Sequence, residues 1–362
     1  MKRSFEVMCA LVRPPFAVLL GLCMAVGMAQ TGHLPSLARQ CVALVAVGGW
    51  MLWAVALNDV ADEHIDRVNL ANDAQRVLVT GRATRKQVVM IALGAGAVAI
   101  GAAVVLGAAS VVVVACGLAL AAAYSLPPLR LCGRGALTSA LLPLGYVAVP
   151  FLLGAFSSGS GLNGRGLVLL AGLYLGFMGR LVLKDFRDER GDRLYEKRTM
   201  LVRHGRAPAC AFSAVFWTAG AIVVVIAQAR PVALVVATVA YVVAVLVMLR
   251  DLACDRDGMR DGANISAIAV VGRALVYTFL IQMVTAIGGW GVLAQNLIIA
   301  AVGIAALGMA RELRLELLPT SDSLTEHERL ALPPPGDVFT SPAARRERAV
   351  RGDLVAPLEE AM

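Results

Sequence analysis

Charge is scarce in this chain. Of 362 residues only 16% are charged and 59% are hydrophobic, and the mean hydropathy is +0.74. Soluble domains carry roughly a quarter charged residues, so the deficit excludes an ordinary water-soluble fold. Paired cysteines are also missing. Cys9, Cys23, Cys41, Cys116, Cys132, Cys210 and Cys254 are scattered, with no CxxC and no His/Cys ligand spacing. That argues against a disulfide framework and against zinc. Most of them fall in apolar runs, where cysteine is a small packing residue. A cleavable leader is not expected either. Lys2 and Arg3 give a charged start, but Arg13-Pro14-Pro15 splits the apolar stretch and no A-x-A site follows, so the first run is expected to be a retained helix. The net charge of +8 does not point to nucleic acid, because topology and an anionic ligand account for where the basic residues lie.

What is present is a series of long apolar runs, at roughly 11–30, 40–58, 87–107, 109–125, 136–156, 166–184, 208–228, 231–249, 264–287 and 290–309. Most are long enough to cross a bilayer. The expected fold is all-α: a polytopic membrane helical bundle of nine or ten transmembrane helices. The count turns on the last two runs, which only Gly288-Gly289-Trp290 separates. Gly and Ala are frequent within the runs, which lets membrane helices approach closely. Segments 1–13, 59–86, 125–135, 184–208 and 250–262 hold 3, 5, 2, 8 and 3 Lys/Arg, while 31–40, 157–166 and 229–230 hold one each. The positive-inside rule then makes the first set cytoplasmic. Residues 1–310 form the expected membrane-embedded domain. Residues 311–362, with Pro333-Pro334-Pro335 and few large apolar side chains, are expected to form a polar, disordered and dispensable cytoplasmic tail.

One acidic pattern occurs twice. Asn58-Asp59-Val60-Ala61-Asp62-Glu63-His64-Ile65-Asp66 reads NDxxDxxxD, and Lys184-Asp185-Phe186-Arg187-Asp188-Glu189-Arg190-Gly191-Asp192 reads KDxxDxxGD. In both the aspartates step by three and then four, which puts three carboxylates on one helix face. Each aspartate of the second copy follows its counterpart by 126 residues. Four crossings separate the copies, so both are expected at the cytoplasmic surface. Six carboxylates at two helix ends repel one another unless cations lie between them. Hard oxygen donors of this kind suit Mg²⁺, which commonly holds substrate phosphates against a few carboxylates. The pattern therefore points to an intramembrane enzyme acting on a diphosphate.

These motifs, with Tyr124-Ser125-Leu126-Pro127-Pro128-Leu129-Arg130, resemble the UbiA superfamily of intramembrane prenyltransferases, whose YSxPPxR segment follows the fourth helix. The resemblance covers about residues 10–290. It implies a Mg²⁺-dependent transfer from an isoprenyl diphosphate donor to a lipophilic acceptor, either a small aromatic compound or a quinone precursor, in the lipid bilayer, with release of pyrophosphate. It also implies that Asp59, Asp62, Asp66, Asp185, Asp188 and Asp192 hold the metal, with Asp62, Asp188 and Lys184 central to catalysis. Asn58, Arg67, Arg76, Tyr124, Arg130, Arg180 and Lys184 are the expected diphosphate contacts. Asn-Arg-Pro is frequent in the family near Arg76; here Gln75-Arg76-Val77 keeps only the arginine. Arg180, Lys184, Asp188 and Asp192 are spaced by four and are expected to form one helix stripe. Gly191 is expected to let the chain bend toward the metal. Arg273 is similarly intramembrane, with no motif around it. His64, Glu63 and Glu189 fall off the aspartate face. Trp50 and Trp53, shortly before the first motif, are candidate walls of an isoprenoid channel. Two other readings stay open. A terpene cyclase on the same fold would quench the cation within the substrate, and a cation-binding transporter would release no pyrophosphate.

Overall fold

The computed structural model describes residues 2–69, 73, 75–133, 136–194, 199–227, 232–255, 258 and 260–316. Among them the ordered elements are helical and no strand occurs. Lipid offers backbone groups no hydrogen bonds, so apolar runs of this length satisfy their own N–H and C=O groups as helices. The chain runs through α1 (Lys2–Leu11), α2 (Pro14–Ala29), α3 (Leu37–Asn69), α4 (Arg85–Leu106) and α5 (Ala108–Ser125). Then follow α6 (Ala136–Pro143), a π-helical turn (Leu144–Ala148), α7 (Val149–Ser157), α8 (Gly164–Val182), α9 (Lys184–Leu194) and α10 (Met200–His204). Four long helices complete it: α11 (Arg206–Ala227), α12 (Val232–Cys254), α13 (Asp261–Ile287) and α14 (Val292–Glu316).

Nine stretches among the described residues are long and apolar enough to cross a membrane, and α2 is a shorter apolar helix beside them. This is an integral, multi-pass membrane protein. Large apolar side chains such as Val104, Val236 and Ile304 face outward, a surface suited to lipid and not to water. Local signals set the helix ends. Pro14 and Pro15 open α2, where a missing N–H costs nothing. Thr84 and Gln87 form a capping box on α4, and Asn163 caps α8 through the Gly166 N–H. The last helix, α14, continues to Glu316, past the Arg311 boundary expected from composition. Arg314 there pairs with Asp251 of α12. The expected tail beyond it, including the Pro333–Pro335 run, lies outside the described residues.

Two apolar cores lie on either side of a shared seam. One gathers side chains of α3, α4 and α5, the other those of α8, α11, α12 and α13. Helix α2 serves both: Leu20, Met24 and Met28 face the first core, and Leu22, Cys23 and Val26 face the second. Helix α7 does the same through Leu153 and Phe151. The two seam helices touch backbone to backbone. A Cβ on Gly27 would stand 2.0 Å from the Phe151 carbonyl oxygen, and one on Gly154 would stand 2.0 Å from that of Met24.

Candidate active site

The first motif ends one continuous helix. α3 has 33 residues, about 50 Å of rise against a hydrocarbon core of about 30 Å, so its acidic end projects past the apolar zone. The expected shared face is present: Asp59, Asp62 and Asp66 are all buried. His64 is exposed, and Glu63 bonds Arg67 at 2.8 Å, on a different side of the helix. The second motif sits on its own element. The helical ladder is interrupted at Leu183, where the backbone stays right-handed (φ −71°, ψ −18°), and α9 then carries Lys184 through Leu194. The stripe expected from Arg180 to Asp192 is therefore divided between two helices. The joint is at Leu183, and the helix runs on through Gly191. Asp185 and Asp192 are buried, while Asp188 is partly exposed.

Arginines fill much of the space between the carboxylates. Arg76 Nη1 donates to Asp59 Oδ1 at 2.6 Å and lies 2.7 Å from Asp66 Oδ2, with all three groups nearly buried. Arg13 Nη2 donates to the same Asp59 oxygen at 2.5 Å. Arg130 Nη2 reaches Asp62 Oδ1 at 3.3 Å, and Asn58 donates to Asp62 Oδ2 at 3.0 Å. Arg130 holds a positive φ of 35°, a backbone cost that a non-glycine residue bears only where its surroundings impose it. Buried charges are tolerable only when paired, so these arginines supply the cations that the acidic face demands.

Three cavities meet at Lys184. The first is lined by Asn58, Trp50, Tyr124, Arg13, Tyr146 and Lys184, with apolar walls from α3, α5 and α6. Lys184 Nζ donates to Tyr124 Oη at 3.4 Å. The second, a small cleft, brings Lys184 beside Asp185 and Thr199. The third lies between α2, α8, α11 and α13 and is lined by Arg180 and Arg273 among others. A row of rings stands between the first and third. Phe16 and Tyr146 line both, with centroids 4.5 Å apart, and Phe177 continues the row 5.2 Å from Tyr146.

Of the expected diphosphate contacts, Asn58, Tyr124 and Lys184 share one cavity, and Arg76 and Arg130 join the first motif. Arg67 does not join them: it is exposed and bound to Glu63. Arg180 faces the third cavity instead. Trp50 walls the first cavity, whereas Trp53 turns its Nε1 to the Leu118 carbonyl. Arg13 and Tyr146 are additions that sequence reasoning missed. A signal for Arg13 was there, since it interrupts the first apolar run near the end that the positive-inside rule puts on the motifs' side.

The donor set suits a hard cation. Among the described residues no three Asp, Glu, His or Cys side chains enclose a metal by themselves. Mg²⁺ asks for only one or two protein carboxylates and completes its shell with water and phosphate oxygens. Asp59 Oδ2 is buried with no hydrogen-bond donor among the described residues. It is a free acceptor of the type such an ion seeks.

Comparison with known proteins agrees with this geometry. The Bacteriochlorophyll synthase 34 kDa chain of Chloroflexus aurantiacus is 27% identical over 192 residues, 52% of this chain and 60% of that relative. The chain thus spans less than two thirds of that relative's length. A solved UbiA homolog from Aeropyrum pernix K1 superposes with a TM-score of 0.58 at 18% identity, covering 74% of this chain and 98% of that one. A UbiA homolog from Archaeoglobus fulgidus, solved with DMAPP and Mg²⁺ bound, gives 0.53 at 16% identity, over 86% of this chain and 98% of that one. At these identities the structures speak to the fold. The model of the UbiA prenyltransferase family matches residues 18–261, a span that includes both aspartate motifs and leaves Arg13 and Arg273 outside. With that match over most of its length, the chain belongs to the UbiA prenyltransferase family.

Proposed function

We propose that the protein transfers an isoprenyl group from an isoprenyl diphosphate to a small lipophilic acceptor, an aromatic compound or quinone precursor, within the membrane. One observation carries this reading. The residues that open the two motifs, Asn58 and Lys184, line a single cavity whose remaining walls are largely apolar. A diphosphate at the polar end and an isoprenoid chain along Trp50, Ala54, Leu120 and Leu142 match that lining. The DMAPP and Mg²⁺ bound by the Archaeoglobus fulgidus homolog support the same pairing here.

The residues have distinct tasks. Lys184 and Arg13 hold the diphosphate oxygens, and Tyr124 fixes the Lys184 ammonium toward them. Arg76 and Arg130 orient Asp59, Asp62 and Asp66 by direct ion pairs. Mg²⁺ would be held by one or two carboxylates per ion, drawn from Asp59, Asp62, Asp66, Asp185, Asp188 and Asp192, and would neutralise charge on the departing pyrophosphate. The C1–O bond breaks with its electron pair moving to the diphosphate. The acceptor forms the new bond to C1 and releases a proton. Pre-placed cations lower the barrier because they meet charge where it develops, and the apolar walls keep water from C1.

The test incubates the purified protein with Mg²⁺, isoprenyl diphosphates of different lengths and a panel of acceptors. Products are read by mass spectrometry and pyrophosphate release. Acceptor-dependent prenylated product is expected. Hydrocarbon formed without acceptor would replace transfer by cyclisation, and absence of pyrophosphate release with every pair would remove the enzymatic reading.

The same reading places both motifs on the cytoplasmic side. Between them lie four crossings, α4, α5, the α6–α7 unit and α8, an even number, and the flanking loops are rich in Lys and Arg. Thr80 and Arg203 are exposed in those loops. In a chain cleared of its native cysteines, Thr80→Cys and Arg203→Cys should resist an impermeant maleimide in intact cells and react after lysis. Labelling of either from outside would overturn this orientation.

A further inference from the structure

Three helix ends meet at Arg206. The chain leaves α10 through Gly205, whose φ of 84° favours glycine, and Arg206 is the first residue of α11. A cation is out of place at that end of its own helix, where the dipole is positive. Its side chain serves other helices instead. Nε and Nη2 donate to the Leu252 carbonyl near the C-terminus of α12, at 3.1 and 2.7 Å, an end where a cation is favoured. Nη1 and Nη2 donate to the two carboxylate oxygens of Asp261, the first residue of α13, at 2.9 and 2.5 Å. These bonds occupy the edges of the guanidinium and fix its plane.

The flat face of that plane meets the second motif. Arg206 Cζ lies 4.9 Å from the centroid of the Phe186 ring, within cation–π range. Phe186 is buried and stands between Asp185 and Asp188 in the motif. At 3.6 residues per turn it projects about 100° to 160° away from each of Asp185, Asp188 and Asp192. The ring therefore lies on the reverse side of α9 from the carboxylates. That side matters because the ladder breaks at Leu183, so α8 alone does not fix the direction in which α9 turns its aspartates.

We propose that Arg206 is a positioning residue for the second motif. It holds α9 by the Phe186 ring against the junction of α11, α12 and α13, and so sets the angle from which Asp185, Asp188 and Asp192 face the diphosphate. Leu183 supplies the joint and Arg206 the stop. Arg206 lines none of the three cavities at Lys184, so it acts on the substrate only through α9. This rests on the prenyl-transfer reading, in which those aspartates hold Mg²⁺.

Two measurements on the full-length protein in phosphatidylcholine nanodiscs test this: titration calorimetry with inorganic pyrophosphate at fixed Mg²⁺, and hydrogen exchange read by mass spectrometry. Arg206→Gln and Phe186→Leu should each weaken Mg²⁺-pyrophosphate binding about tenfold. Each should also speed exchange of the α9 amides while the Asp59–Asp66 stretch of α3 stays unchanged. The double variant should bind no more weakly than the weaker single one, because both remove the same contact. Arg206→Lys keeps a charge for Asp261 without the flat fork, so it should hold the melting temperature and still not restore binding. If Arg206→Gln fails to fold, Phe186→Leu decides alone, since it leaves every hydrogen bond of Arg206 in place. Unchanged binding in Phe186→Leu would overturn the proposal. So would losses that add in the double variant, or full recovery of binding by Arg206→Lys. An Arg206→Gln protein that melts earlier but binds pyrophosphate normally would also overturn it, because the residue would then serve only the bundle. An unmodified protein that binds no Mg²⁺-pyrophosphate would remove both this role and prenyl transfer. One that binds it, responds to both variants and yet releases none from any donor would remove prenyl transfer and leave the role of Arg206 standing.

Discussion

Asp62→Ala and Asp188→Ala are each expected to lower prenyl transfer by more than about 100-fold, with the protein still folded and inserted. Both occupy the middle of their motifs, but their surroundings differ. Asp62 is buried and takes hydrogen bonds from Asn58 and Arg130. Its loss frees Arg130, which is already partly exposed, so water can solvate that cation and the fold survives. Asp188 is itself partly exposed and bonds its neighbour Arg187 at 3.3 Å, so its removal disturbs packing still less. The check is turnover at matched expression, together with a melting curve. Retention of more than about a tenth of activity by either variant would take that residue out of the metal-binding set.

Gly154→Leu and Gly27→Leu should be among the most damaging substitutions to the fold. At both positions the first side-chain carbon would lie 2.0 Å from a backbone carbonyl oxygen on the opposite seam helix. Backbone on backbone has no rotamer through which to escape, so α2 and α7 must separate. Overpacking of this kind costs about 3 kcal/mol or more. Thermal unfolding in detergent measures it, with Gly94→Leu as control, since a Cβ there meets nothing within 4 Å. A melting temperature equal to that of the control would show that the seam can open without penalty. Because Arg13 and Phe16 lie at the start of α2 and Tyr146 lies just before α7, these variants should also lose donor binding.

The parts of this protein legible in its sequence are those that depend on spacing along one helix. The apolar runs, the three-and-four step of Asp59, Asp62 and Asp66, and the exclusion of Glu63 and His64 from that face all follow from local periodicity. Arg67 shows the limit of such reasoning. It lies one residue past the first motif, yet a four-residue step ties it to Glu63 and turns it outward. Arg13 shows the converse: it meets Asp59 across 46 residues of chain, and nothing near Arg13-Pro14-Pro15 announces that partner. Arg180 was legible as an intramembrane cation, but which cavity it faces depends on how α8 lies against α2, α11 and α13. The interruption at Leu183 was hidden too, because Leu181-Val182-Leu183 reads as uninterrupted helix.

That interruption makes the two halves of the site mechanically unequal. The first motif is the end of a single stiff rod, anchored along its length among α4, α5 and α7. The second rides on an eleven-residue segment joined to its membrane helix at one residue. A vise with one fixed and one jointed jaw adjusts to its workpiece by moving the lighter part. Under the prenyl-transfer proposal, α9 is the part that would adjust to a diphosphate, with Leu183 as its joint to α8. Under that proposal the identical aspartate spacing of the two motifs would serve an anvil on one side and a clasp on the other.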